Sequence, residues 1–398
     1  MERNIRLKNN LIKEKNMKFF KYLFVLLSLI LIVSCGGEEE EEDWGNDGDG
    51  ENSGKNKTWE ISWGTGNWDQ PLSIAASEEM VFVGGETRGN LYSDLSGKFD
   101  AFLSVFTNDG KELWGKQWGT SIDDSINLKA LVLDEDQNVY GVVDTWHKGS
   151  GSMIIKYSPN GEKIWENIVA IDALSFITKD LSDNIYIAGS HGDIVKYTKD
   201  GKELWKHTIS TDNTEAEIKS IVVDSQGNIY VGGRTNGDLF EVLSGNYDAF
   251  LVKLNPDLVH VFERQWGTGN RNDWIQVSGL AVDGNNNLYV ASSSSSEKSD
   301  ILLKYNSNGD KIWGQNDKDD YYLINSITID NENILYLSCT NGKIYKYNQD
   351  GILLWSSNDT VKINWEIKGM TLDSHQNLYL IGGENENYLM KIPKSEMK

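Results

Sequence analysis

Between Trp59 and Pro393 the polarity of the chain keeps one rhythm. Short apolar runs rich in Val, Ile, Tyr and Phe are cut by clusters of Asp, Asn, Gly and Ser. Nowhere do they take up the three-to-four spacing of a helix. The clearest phrase is Ser220 to Gly233, Ser-Ile-Val-Val-Asp-Ser-Gln-Gly-Asn-Ile-Tyr-Val-Gly-Gly. Its Asp224 and Tyr230 recur as Asp134 and Tyr140, Asp180 and Tyr186, Asp283 and Tyr289, Asp330 and Tyr336, and Asp373 and Tyr379. A seventh, degenerate copy has Ser77 and Phe82 in those places. Every copy but the last runs on into a strand-like Lys-Tyr or similar run, then a turn, then a strand carrying an aromatic. These aromatics are Trp114, Trp165, Trp205, Phe262, Trp313 and Trp355, spaced by 40 to 57 residues.

That period suits a four-stranded blade. Strand A precedes the Asp, strand B holds the Tyr, strand C follows, and strand D bears the aromatic. Ser225-Gln226-Gly227-Asn228 and Asp200-Gly201 are turn chemistry, since Gly and Asn tolerate positive φ. The recurrent Asp falls at the A–B turn, so capping of that turn explains it better than paired acid chemistry. The predicted fold is all-β: a single seven-bladed β-propeller of four-stranded antiparallel blades over residues 59–398. The last repeat has no D strand after Lys391-Ile392-Pro393, whereas Trp59 to Trp63 reads as an orphan D strand. The N-terminal segment is therefore expected to join the C-terminal blade and remove an open sheet edge.

Gln117-Trp118-Gly119-Thr120 and Gln265-Trp266-Gly267-Thr268 occur in the first and fourth copies. These copies also share Thr87 to Phe102 and Thr235 to Phe250, each with Leu-Ser-Gly and Asp-Ala-Phe. These phrases resemble the SBBP β-propeller repeat, and the resemblance covers nearly all of 59–393. It implies the fold more than any activity.

The N-terminus reads differently. Lys18 and Lys21 precede an apolar run from Tyr22 to Val33, too short to span a bilayer and ending in Ser34-Cys35. This resembles the lipobox of bacterial lipoproteins, with residues 1–34 as signal peptide and Met17 as the expected start. The resemblance implies acylation of Cys35, which would anchor the protein to the membrane by more than one acyl chain. Residues 35–58 are Gly-rich and acidic, with Glu38 to Glu42 in a row, and have the composition of a flexible tether. An outer-membrane location follows as an expectation, with the cell surface favoured over the periplasmic face.

The formal net charge of −22 argues against nucleic acid as a partner. Once Cys35 is acylated, Cys339 has no disulfide partner within the chain, and it reads as a small buried thiol. The five histidines, His147, His191, His207, His260 and His375, have no metal-site spacing, and neither a nucleophile elbow nor a phosphate loop occurs. No cofactor and no metal site is therefore expected, and no catalytic residue is assigned. The B–C and D–A connections, such as 87–99, 144–152, 234–247 and 292–300, are long and irregular. They are expected to carry binding, because they sit on a rigid scaffold. The D–A loops place Trp68, Trp274, Tyr321 and Trp365 at similar positions, accompanied by Asp69, Asp273, Asp319 and Asp320. The expected function is a lipid-anchored, non-catalytic scaffold offering this loop face to a glycan, peptide or protein. Capping of the propeller core is the competing role for the aromatics. An outer-membrane assembly subunit and a propeller enzyme, either a quinoprotein or a calcium-dependent hydrolase, are the other function classes left open.

Overall fold

The computed structural model describes residues 57–120, 125–145, 151–171, 173–189, 191–209, 214–295, 301–315, 323–357 and 361–398. The expected leader, Cys35, most of the expected tether, Asp319, Asp320 and Tyr321 lie outside the described residues. The described residues form twenty-eight strands, arranged as seven four-stranded antiparallel sheets. Blade 1 comprises β2 (Asp69–Ala76), β3 (Met80–Thr87), β4 (Asp100–Thr107) and β5 (Glu112–Trp118). Blades 2 to 6 repeat this order through β6–β9, β10–β13, β14–β17, β18–β21 and β22–β25. Blade 7 has the order β1-β28-β27-β26, so its outer strand is β1 (Trp59–Trp63), paired with β28 (Asn387–Ile392) from Trp59↔Lys391 to Trp63↔Asn387.

The A strands form the inner wall. Each contacts the A strand of the next blade, and β2 contacts β26 (Ile367–Leu372), which brings blade 1 against blade 7. The B strands are buried on both faces; β11 (Ile185–Gly189) is buried throughout. The core is a set of layers between blades. One layer joins Tyr379, Ile381 and Leu389 of blade 7 to Ile74, Val83 and Phe102 of blade 1, with Trp59, Ile61 and Trp63 packed against it.

The recurrent Asp has a larger role than capping a turn. Asp224 Oδ1 accepts from the Asn228 amide at 2.9 Å, which closes the turn. Its Oδ2 accepts from the Tyr230 hydroxyl at 3.2 Å, and a C-strand lysine, Lys253, lies 4.9 Å over that tyrosine ring. The same Asp, Tyr and Lys recur in blades 2 to 7, with lysines 156, 196, 253, 304, 346 and 391. Blade 1 lacks all three, with Ser77, Phe82 and Val105 instead, so the set is lost together. Most of these lysines donate to a backbone carbonyl of the next blade: Lys253 to Ser307, Lys304 to Gln349, and Lys391 of blade 7 to Asn108 of blade 1 at 3.2 Å.

The D-strand aromatics make the second contact between blades. Trp114 donates its indole N–H to Pro159 O at 2.9 Å and lies against Gly161 in the C–D turn of blade 2. Gly161 has φ 79°, and a Cβ there would sit 3.2 Å from the Trp114 ring, so this position needs glycine for conformation and for space. Trp59 of β1 rests on Gly110 of blade 1 in the same way, with 3.2 Å between the ring and a notional Cβ. Thr58 adds two bonds, from its N–H and Oγ1 to the Glu396 carboxylate, at 3.2 and 2.6 Å.

Truncating Trp59 removes a ring packed on Gly110 and edge-on to Tyr379. Trp59→Ala should destabilise the propeller by about 2–4 kcal/mol in denaturant unfolding; an unchanged midpoint would show that β1 contributes nothing.

Burial first, and then the charge of the partner Asp, pushes the phenols of Tyr140, Tyr186, Tyr230, Tyr289, Tyr336 and Tyr379 well above the ordinary tyrosine range. A raised folded value means that this stabilisation is complete below about pH 10, the unfolded value, and is lost as pH climbs beyond it. Burial depresses Lys253, Lys346 and Lys391, so the stability they cost is recovered as pH rises to about 10.5, and beyond that the six phenols govern. In an alkaline titration, phenolate absorbance from these tyrosines should rise together with loss of the fold; smooth ionisation of the folded protein near pH 10 would contradict the burial.

Candidate functional site

Within each blade the A–B and C–D turns share one end and the B–C and D–A loops the other. The long B–C loops of blades 1 and 4 do not crown the loop end. Gln117 on β5 accepts from the amides of Leu91 and Tyr92 at 2.8 and 3.0 Å, and donates to Gly89 O and to Asp100 Oδ2. Gln265 makes the same bonds to Leu239, Phe240, Gly237 and Asp248. Because the glutamine sits on the outer strand, each loop is strapped outward along the flank of its blade. Tyr92 reaches Ser104 at 2.7 Å and Glu112 at 2.5 Å. Gly119 follows because a Cβ there would strike the Asp100 carboxylate. The Gln-Trp-Gly phrase is thus a loop clamp, and loops 87–99 and 234–247 are less available for binding than their length suggests.

The other expected site residues divide as follows. Asp69 is fully buried; it accepts from the Thr65 amide at 2.6 Å, from Thr65 Oγ1 and from Thr87 Oγ1, and so holds the D–A loop of blade 1. Trp365 stacks on Tyr388 with centroids 5.7 Å apart and donates to Glu60 at 2.9 Å, fastening blade 7 to β1. Trp68 is half-buried, with its indole nitrogen out of contact with water, and Trp68 O accepts from the Arg88 amide. Trp274 is half-buried, and its backbone is bonded to Ser294 and Ser295. Asp273 closes the turn from Asn270. Trp365 and Asp69 therefore serve the scaffold, and Trp68 and Trp274 remain at the loop end of blades 1 and 5.

A feature with no sequence signature stands beside them. Every A strand has a one-residue bulge at the same register, at Leu72, Lys129, Ser175, Lys219, Ser278, Asn325 and Lys368. Bulges re-aim side chains and are common next to binding sites. All seven residues are half-buried on the inner strands, towards the loop end. The varied residue types hid them, and no spacing rule would have found them.

Charges cluster at this level. Glu217 pairs with Lys219 and Arg234 at 2.5 Å each, and Lys368 pairs with Glu366 at 2.7 Å. Burial pushes the Glu217 carboxyl up, but its two cationic partners outweigh this and hold it below the usual range. Burial raises the Asp144 carboxyl, partly countered by the charge of Lys129. Arg234 also lies 4.4 Å over the Tyr247 ring, and a cleft of about 160 Å³ opens here, lined in part by Glu215, Glu217, Arg234 and Tyr247. This cleft can therefore bond a ligand that carries groups of both signs. Among the described residues no group of three or more His, Cys, Asp and Glu is placed to hold a metal ion.

The SBBP family, described as Beta-propeller repeat, matches residues 205–241. The chain carries this β-propeller repeat at residues 205–241 and folds as a seven-bladed propeller. The regulatory protein FlaEY of Caulobacter vibrioides is 24% identical over 215 residues, which is 50% of this chain and 20% of that protein. The chain thus spans about a fifth of that relative. Virginiamycin B lyase of Staphylococcus aureus shares the fold with a TM-score of 0.58 at 14% identity, covering 84% of this chain and 98% of that one. The Pan2 WD40 domain of Neurospora crassa does so at 0.55 and 12%, over 81% and 89% of the two chains. A chain of the mitotic checkpoint complex does so at 0.61 and 8%, over 92% and 100%. At such identities these likenesses report the propeller architecture alone.

If the glutamine clamp holds the B–C loop of this propeller, Gln117→Ala should make residues 88–98 sensitive to limited proteolysis and leave the melting temperature within a few degrees. Equal resistance of both proteins would refute the clamp.

Proposed function

We propose that this protein is a lipid-anchored, non-catalytic binding scaffold of the cell envelope that receives a protein, peptide or glycan partner at the loop-end mouth of its channel. The observation that carries this reading is the position of Thr58. The chain joins the propeller at the turn end, where Thr58 bonds Glu396 and Trp59 pairs with Lys391. An acylated Cys35 would therefore attach the propeller by its turn end and leave the opposite end open to a partner. The charged side chains of Lys129, Lys219, Arg234 and Lys368, on blades 2, 4 and 7, with Trp68 and Trp274 at the same end, supply the contact surface. Protein partners suit such a surface, since paired charges at a rim set specificity and association rate. A regulatory role for one distant relative is compatible with a scaffold that acts by binding.

Two measurements test the reading. Labelled palmitate should enter the wild-type protein and not Cys35→Ser, which should also leave the membrane fraction. A photo-crosslinker at position 219 in intact cells should trap one defined partner. Charge reversal at Arg234 and Lys368 should reduce that capture about tenfold, and reversal at Lys311 on an outer strand should not. Retention of Cys35→Ser on the membrane, or equal loss from the Lys311 control, would overturn the proposal.

A further inference from the structure

Two arginines at the loop end lie over aromatic rings, and the chain supplies a carboxylate to one of them. In blade 4 Arg234 sits 4.4 Å over Tyr247 and donates its Nε–H to Glu217 on the neighbouring A strand. In blade 1 Arg88 sits 4.1 Å over Phe99, which holds the equivalent place before the Asp-Ala-Phe phrase. There Gln70 stands at the register of Glu217, and Glu86 at that of Arg234. Glu86 instead accepts from Asn127 at 3.2 Å. The Arg88 backbone amide donates to Trp68 O at 2.8 Å, but among the described residues its exposed guanidinium has no hydrogen bond and no ion pair.

Arg88 lines a cleft of about 410 Å³ between the D–A loop that enters blade 1 and the start of the strapped B–C loop. Thr65, Asn67 and Asn90 line it too, and among the described residues Arg88 is its one charged lining residue. Both loops are fixed. Asp69 accepts from Thr65 Oγ1 at 2.9 Å, Gln117 donates to Gly89 O at 3.0 Å, and a Cβ at Gly89 would collide with Thr65. A ligand entering here costs little in ordering the protein.

We propose that this cleft takes a carboxylate of a peptide partner on the Arg88 guanidinium. The planar fork matches a carboxylate with two parallel N–H···O bonds. Arg234 with Glu217 is the same pairing made within the chain. A phosphate would fit the fork, but each further negative charge on a ligand is opposed by a protein of formal net charge −22. A sugar ring would need the face of Phe99, which the guanidinium covers. The Asn67 side-chain amide, unbonded among the described residues, offers a donor and an acceptor to a peptide backbone. The inference rests on the loop end as the partner face and adds the group that this face reads.

NMR titration of the full chain, labelled with nitrogen-15 arginine, tests this. The propeller has few arginines, Arg88, Arg234, Arg264 and Arg271, and Arg88→Lys identifies the Nε–H signal of Arg88. Peptides that carry one carboxylate should move that signal saturably. Whichever of acetyl-Ala-Glu-Ala-amide and acetyl-Ala-Ala-Ala moves it more assigns the carboxylate to a side chain or to a chain end. Acetyl-Ala-Gln-Ala-amide, of the same shape without the charge, should leave it still. Arg264, already bonded to Glu263 O and Gly309 O, should not respond to any of them. Arg88→Lys keeps the charge and loses the fork, and should bind about tenfold more weakly when followed on the peptide's own signals. Equal movement with the Gln peptide, equal movement of Arg264, undiminished binding to Arg88→Lys, or a still Arg88 signal in a protein of normal melting temperature would overturn the inference. The scaffold reading fails on a different observation, loss of partner capture at position 219, so the two are separable.

Discussion

The fold depends on one recurrent contact: at five of the seven joins an aromatic side chain on the outer strand of a blade packs against a glycine turn of the next. A tryptophan releases a large apolar area from water in such a position, and the turn glycine leaves room for it. Beside it, a lysine whose ammonium is held by an Asp and a Tyr of its own blade reaches across to a carbonyl. An unpaired lysine at that depth would cost more than the contact returns. The Asp and the Tyr are therefore the condition for the lysine, and the lysine for the carbonyl bond. Blade 1, which has none of the three, shows that they are kept or lost as a unit.

Most of this was legible in the sequence. The number of repeats, the strand order and the unpaired leading strand could be read from the spacing of Asp, Tyr and Trp alone, because each of those residues does the same job in nearly every blade. The site was less legible. Asp69 and Trp365 looked like surface residues because their spacing placed them in loops, yet both are spent on local bonds that depend on Thr65, Thr87, Tyr388 and Glu60, residues with no pattern to announce them. The inner bulges escaped for the opposite reason: Leu72, Ser175 and Lys368 share a backbone geometry and no side-chain chemistry. The Gln-Trp-Gly phrase was visible as a family mark, and only its bonds to the loop amides gave it a purpose.

The two ends of the propeller are thereby given different work. Regular turns and the chain termini occupy one end, where blade 7 is completed by both extremities of the propeller. The irregular connections occupy the other, but the B–C loops of blades 1 and 4 are drawn outward, so among the described residues the inner strands contribute to the surface nearest the axis. Ion pairs such as Glu217 with Arg234 neutralise charge on that surface within a strongly acidic protein.

The closing strand of the ring is also the strand by which the preceding chain enters the propeller. A pull from upstream therefore arrives first at Thr58 and its grip on Glu396, then at Trp59 and its partner Lys391, and would peel β1 from β28 one pair at a time from that end. The entering chain and the clasp are a single piece of backbone, so mechanical load on the one is load on the other.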